Sequence, residues 1–296
     1  MRRGRCSLAD GRSPEVVSGS NLPYGIRVVS DRVSIFAVCA SLVAVLLWAP
    51  AVAAESGREL AQRVYDRPDG RDATTQGRMI LVEKGSQPRI RHMYVYRRDS
   101  EGGRVESLIR FTSPPDIENT GLLTLDHPGA ESDQWIYLPA LDRSRRIASS
   151  RKGGRFVGSD LYYEDLRDRP VEHDDHRLLG TESIMGAEAQ VLESVPVDDS
   201  NSVYGKRVSW IHPQTLLPLR VDFFDKAGKL VKRSSVHRIE KIDGYWTVMD
   251  STVTDLASGH QTRLIVDKIA YDRDLPDALF SRAALEDPER ERAYRP

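Results

Sequence analysis

Two stretches hold residue types that do chemistry. Glu172-His173-Asp174-Asp175-His176 is the densest group of metal-ligand side chains, and two imidazoles among carboxylates can in principle meet one cation. These ligands are adjacent, in a polar stretch after Pro170, and no HExxH, CxxC or spaced aspartate loop accompanies them, so a solvated loop is the better reading. Gly158-Ser159-Asp160 resembles a fragment of a nucleophile elbow. GxSxG is missing, however, and no strand-turn-helix followed by an acid and a His supports serine catalysis. Ser159 or Asp160 reads instead as the cap of a short helix through Tyr162, Tyr163, Glu164 and Leu166. No catalytic residue, metal ion or cofactor is expected, and a lipid hydrolase using Ser159 or His176 ranks below any binding function.

Binding chemistry is better represented. Arg143, Arg145 and Arg146 begin a basic run that continues to Arg155 around a Ser/Gly turn, suited to an anionic headgroup or an acidic partner, or simply to the outer face of a hairpin. Trp135, Tyr137, Trp210, Phe223, Phe224 and Trp246 supply enough aromatic surface for either a cavity wall or an ordinary core.

The elements that position these residues read as strands. Residues 33–48 form an uncharged apolar run after Arg27 and Arg32, followed by Ala51-Val52-Ala53-Ala54, which predicts a cleavable signal peptide cut after Ala53 or Ala54. The long Gly/Ser-rich stretch before Arg27 implies a translation start downstream of Met1. Both cysteines, Cys6 and Cys39, leave with this leader, which excludes disulfides, thiolate catalysis and Cys-zinc sites. The chain has 43 Lys and Arg against 44 Asp and Glu; the leader carries six Arg and three acids, so the remainder has a net charge of −4 and no nucleic-acid partner is expected.

Ser56 to Tyr65 predicts one short amphipathic helix ended by Pro68-Asp69-Gly70. From Thr75 the period changes to two. Strand-sized segments then alternate with turns at Gly85-Ser86, Ser100 to Gly103, Met185-Gly186, Lys226-Ala227-Gly228, Asp243-Gly244 and Ser258-Gly259. The expected fold is mainly β, a sandwich, barrel or strongly curved antiparallel sheet. Residues 1–54 are read as leader, 55–285 as one domain, and 286–296 as a charged tail that frays.

Four blocks carry a likeness: RFTSPPDIENTGLLTL, DQWIYLPALDRSRRIASSRKGGRFVGSDLYYEDL, WIHPQTLLPLRVDFFDKAGKLVK and IDGYWTVMDSTVTDLASGHQTRLIV. They resemble the outer-membrane lipoprotein-sorting family, the LolA-like periplasmic proteins. The resemblance implies an unclosed, strongly curved antiparallel β-barrel whose open side is covered by short helices, around an apolar cavity. It further implies a non-enzymatic periplasmic carrier of a lipid or of a lipoprotein acyl chain between inner and outer membranes, with an inner-membrane lipid exporter of the resistance-nodulation-division type as a partner. The alternative is an accessory module of such an exporter, without a ligand of its own. Ile109, Phe111, Leu123, Trp135, Tyr137, Val221 and Phe223 are the expected wall, and Arg143, Arg145 and Arg146 the expected headgroup or partner contacts. Period-two alternation does not say which sheet face is concave.

Overall fold

The computed structural model describes residues 55–100, 102–128 and 131–296; the leader and both cysteines lie outside them. Helix α1 (Gly57–Tyr65) opens the chain with a capping box: the Glu59 N–H donates to Ser56 Oγ at 3.2 Å and the Ser56 N–H to Glu59 Oε2 at 2.7 Å. Thirteen strands follow among the described residues. They are β1 (Asp72–Val82), β2 (Arg89–Ser100), β3 (Arg104–Ser113), β4 (Gly121–Leu125), β5 (Asp133–Leu138) and β6 (Arg143–Arg146), then β7 (Asp174–Ile184), β8 (Ala187–Pro196), β9 (Lys206–Ile211), β10 (Pro218–Phe224), β11 (Leu230–Ile242), β12 (Tyr245–Asp255) and β13 (Gln261–Tyr271). Helix α2 (Arg282–Glu286) and a 3-10 helix at Pro288–Tyr294 end it.

All strands belong to one antiparallel sheet in the order β6-β5-β4-β3-β2-β1-β13-β12-β11-β10-β9-β8-β7. Two meanders are thus joined in the middle by β1 and β13. Their hairpins are set by local turn chemistry: Asp243 and Gly244, between β11 and β12, both have positive φ (51° and 94°), the backbone that matches strand twist in a two-residue hairpin. The predicted turns at Met185-Gly186 and Lys226 to Gly228 also join neighbouring strands.

The sheet is strongly curved and unclosed. Val105 on β3 and Leu192 on β8 line the same cavity although eight strand positions separate them, a distance of ~38 Å on a flat sheet. The face that carries them is therefore the concave one. It also holds α1 and the crossover, residues 147–173, which links edge strand β6 to edge strand β7 through a series of 3-10 turns. Phe156 and Leu161 of the crossover pack with Met79, Leu81, Phe111, Leu122 and Val253 of the sheet. On the convex face, the chain after β13 folds back so that Leu275, Leu279, Phe280 and Leu285 cover Tyr96, Leu108 and Leu123.

The last residues do not fray as expected. Arg110, on the convex side of β3, and Glu291 are both fully buried and paired at 3.2 Å. Arg110 also donates to the carbonyls of Asn119 (2.7 Å), Ala284 (3.0 Å) and Leu285 (2.7 Å). A charged terminal segment stays ordered because one of its charges meets a buried partner whose remaining donors are satisfied.

Candidate ligand cavity on the concave face

A cavity of about 550 Å³ lies between α1, the rim of the crossover and the concave faces of β2, β3 and β7 to β9. Register builds its main wall. One cross-strand row is His176, Ser194 and Arg207, continuing beyond the cavity to Phe223; the next holds Leu192 and Ser209, flanked outside the cavity by Leu178 and Val221. A polar row therefore borders an apolar one. Over the apolar rows sits α1, with Leu60 and Ala61 against Leu192 and Ile211. The helix approaches the sheet closely because Gly57 has no side chain: a Cβ there would lie 2.7 Å from the Arg177 backbone.

Charge in the cavity is mixed and mostly paired. Asp174 accepts bidentately from Arg169 (2.8 Å to each oxygen) and also from Arg207. Burial works against its charge, but the Arg169 hydrogen bonds and the Arg207 charge hold the Asp174 carboxyl below its ordinary range. Arg169 uses its remaining donors on Asn201 and the His173 carbonyl. Arg97 pairs with Asp99 at 2.7 Å and lies 3.4 Å from Asp69, which Arg67 shares. Burial nevertheless raises the Asp99 carboxyl. At the rim, Tyr65 of α1 donates to Asp168 at 2.6 Å, and the Asp168 N–H donates to Asp126 at 2.9 Å. Asp126 is 7% exposed with Oδ1 unpartnered among the described residues; burial, against the pull of the Asp168 N–H, raises its pKa to about 6.

None of the seven expected wall residues lines this cavity. Ile109 and Phe111 are on the concave face but lie in the cluster formed with the crossover, the Phe111 and Phe156 rings 5.7 Å apart. Val221 and Phe223 share the cavity's sheet face; Phe223 packs on Tyr204 with ring centroids 4.9 Å apart. Leu123, Trp135 and Tyr137 point the other way, into the convex cluster. Arg143, Arg145 and Arg146 lie on edge strand β6, where all three are exposed and Arg146 pairs with Asp133.

The chemical candidates of the sequence are absorbed by structure. His176 is held by Ser194 Oγ and the Val171 carbonyl, each at 2.9 Å. Among the described residues no group of three or more His, Cys, Asp and Glu is arranged to hold a metal ion. Neither Ser159 nor Asp160 caps the 3-10 helix Tyr163–Leu166; Asp165 does so by accepting the Tyr162 N–H at 2.6 Å. Asp160 instead ties the crossover to β13, accepting from Thr262 Oγ1 (2.8 Å), Arg155 (3.0 Å) and His260 Nδ1 (2.6 Å). Asp165 also takes Tyr204 Oη at 2.8 Å and the buried Lys232, and Glu164 accepts the Val203 N–H at 2.7 Å. The acids of GSDLYYEDL are thus anchors of the crossover. Sequence reading missed Arg207, Arg169 and Asp174 as a group, and only the alternation in KRVSWI placed Arg207 and Ser209 on one face.

A family model described as "Uncharacterized protein" matches residues 103–287. No curated protein matches the chain. Among solved structures, one assigned as an outer membrane lipoprotein-sorting protein domain from Vibrio parahaemolyticus is 32% identical, with a TM-score of 0.74, and the match covers 78% of this chain and 98% of that one. A DUF1329 family protein from Desulfovibrio piger is 34% identical with a TM-score of 0.74, covering 77% and 97%. A LolA superfamily protein from Nitrosomonas europaea is 20% identical, with a TM-score of 0.63 and coverage of 78% and 100%; it supports the fold alone.

Proposed function

Since this chain belongs to the DUF1329 and outer-membrane lipoprotein-sorting family and has a LolA-like fold, we propose that it is a non-enzymatic periplasmic carrier that shelters a lipid, or the acyl chain of a lipoprotein, between inner and outer membranes. The observation that carries this reading is the concave-face cavity itself, whose apolar row is covered by a single short helix. Its volume lies within the ~300–1,000 Å³ of small-molecule sites. Each methylene sheltered there contributes about 0.8 kcal/mol, and a lid of about two and a half turns can lift without unfolding the sheet. The test is native mass spectrometry, followed by lipid extraction, on protein purified from a periplasm without detergent. A stoichiometric lipid adduct supports the carrier; an apo mass with no uptake of added lipid rejects it.

A second reading rests on β6. This short edge strand exposes Arg143 and Arg145, neither of which forms an ion pair among the described residues. Such an edge suits docking on an acidic surface of an inner-membrane lipid exporter of the resistance-nodulation-division type. Crosslinking to a membrane partner that survives cavity substitutions but is lost on Arg143→Glu with Arg145→Glu would favour it.

A further inference from the structure

The cavity wall contains an arginine whose donors are only partly used. Arg207 is 15% exposed and donates to a single acceptor, Asp174, through Nη2. Its Nε and Nη1 find no acceptor among the described residues. Asp174 in turn already holds the bidentate fork of Arg169, so two guanidinium groups share one carboxylate at this wall. Burial lowers the Arg207 pKa, with the Asp174 charge opposing that shift. A half-buried guanidinium whose spare N–H groups open onto a cavity can seat an anion there.

What surrounds Arg207 gives the shape of that anion. Along the concave side of β9 the order is Arg207, Ser209, Ile211, and opposite them on β8 stand Ser194 and Leu192. Ser209 Oγ makes no hydrogen bond among the described residues. Toward Ile211 and Leu192 the wall becomes apolar under α1. The other acids of the cavity do not occupy Arg207: Asp69 and Asp99 are engaged by Arg67 and Arg97, Asp168 by Tyr65, and Asp66 by Gln62. On the cavity's α1 side, Arg67 Nε is a sealed donor without a partner among the described residues.

We propose that the cavity selects an amphiphile with an anionic headgroup, a carboxylate or phosphate seated on Arg207 and Ser209, with its apolar chain directed toward Leu192 and Ile211, which α1 uncovers when it lifts. This rests on the carrier reading and specifies the headgroup that the carrier prefers. A guanidinium fork binds a planar carboxylate or a phosphate through paired charge-assisted hydrogen bonds.

The test measures binding of four probes to the purified protein by calorimetry, below their micelle concentrations: palmitate, palmitoyl-lysophosphatidylglycerol, the uncharged monopalmitoylglycerol, and inorganic phosphate. The expected result is that both anionic amphiphiles bind about tenfold or more tightly than monopalmitoylglycerol, and that Arg207→Gln removes this preference while retaining the uncharged probe. Ser209→Asp, which leaves the Arg207 pair with Asp174 in place, serves as the second variant and is expected to abolish the preference too. Equal affinity of wild type for charged and uncharged probes overturns the inference and leaves the carrier reading standing. Phosphate binding as tightly as the lysophospholipid overturns it in favour of a free-anion site. Binding of no probe at all overturns both.

Discussion

Arg110 on β3 and Glu291 near the C-terminus form a fully buried ion pair, 3.2 Å apart and 181 residues apart in sequence. The pair closes the convex layer, since Arg110 also holds the carbonyl end of α2 through Ala284 and Leu285. Glu291→Ala leaves a buried guanidinium without its counter-ion and is expected to destabilise the protein by about 3–5 kcal/mol. Chemical denaturation measures this. A loss below 1 kcal/mol would mean that the terminal segment contributes little to the fold.

The crossover has an analogous anchor that a double-mutant cycle can resolve. Lys232 is buried beneath Tyr162, 3.9 Å from its ring centroid, and pairs with Asp165. Burial lowers the lysine's pKa while Asp165 opposes that shift. Asp165→Asn is expected to cost about 3–5 kcal/mol by stranding the ammonium, and adding Lys232→Met to recover much of that loss. If the double variant is no more stable than Asp165→Asn alone, Asp165 acts through Tyr162 and Tyr204 rather than through Lys232.

Asp126 gives the protein a calculable pH dependence. Its folded pKa, near 6, lies above the ordinary carboxylate value of 3.8. The folded state therefore binds the proton more tightly than the unfolded state. The favourable contribution is complete below about pH 4 and is lost as pH rises through 6, an amount of up to about 3 kcal/mol. Asp126→Asn should match wild type near pH 4 and exceed it in stability at pH 7 to 8. Thermal melts across that range check the sign, and parallel curves for the two proteins would refute the assignment.

Gly57 sets how closely α1 lies on the sheet. A side chain there meets the backbone of Arg177 and His176, which cannot retreat without disturbing β7. Gly57→Val is expected to cost about 1–3 kcal/mol and to speed ligand release, because α1 covers the apolar row of the cavity. Stopped-flow displacement of a bound amphiphile measures the second effect, and an unchanged off-rate would show that α1 does not gate the site.

Much of the fold was legible because it is local. Asp243-Gly244 and Met185-Gly186 announce their hairpins, and the amphipathic spacing from Ser56 to Tyr65 announces α1. The concave layer was not legible, because its contacts join distant residues: Asp160 meets Thr262 across 102 positions and Asp165 meets Lys232 across 67. Faces were ambiguous for a related reason. On β3, Leu108 and Arg110 are buried by the terminal segment while Ile109 and Phe111 are buried by the crossover, so alternation of apolar with polar residues disappears. Leu123, Trp135 and Tyr137 were grouped with Ile109 and Phe111 because both faces of that arm look like an interior.

That geometry changes which substitution tests ligand binding. Phe111→Asp places a carboxylate in the closed packing of Phe111 against Phe156 and is expected to unfold the protein before any ligand is lost. Ser209→Trp is the informative alternative. Ser209 faces the cavity between Arg207 and Ile211, where an indole occupies ligand space without displacing a core side chain. Its stability should stay within about 1 kcal/mol of wild type, while co-purified lipid falls below one part in ten. Retained lipid in a folded Ser209→Trp protein would place the acyl chain elsewhere on the sheet, with the crossover-covered surface around Phe111 as the next region to open.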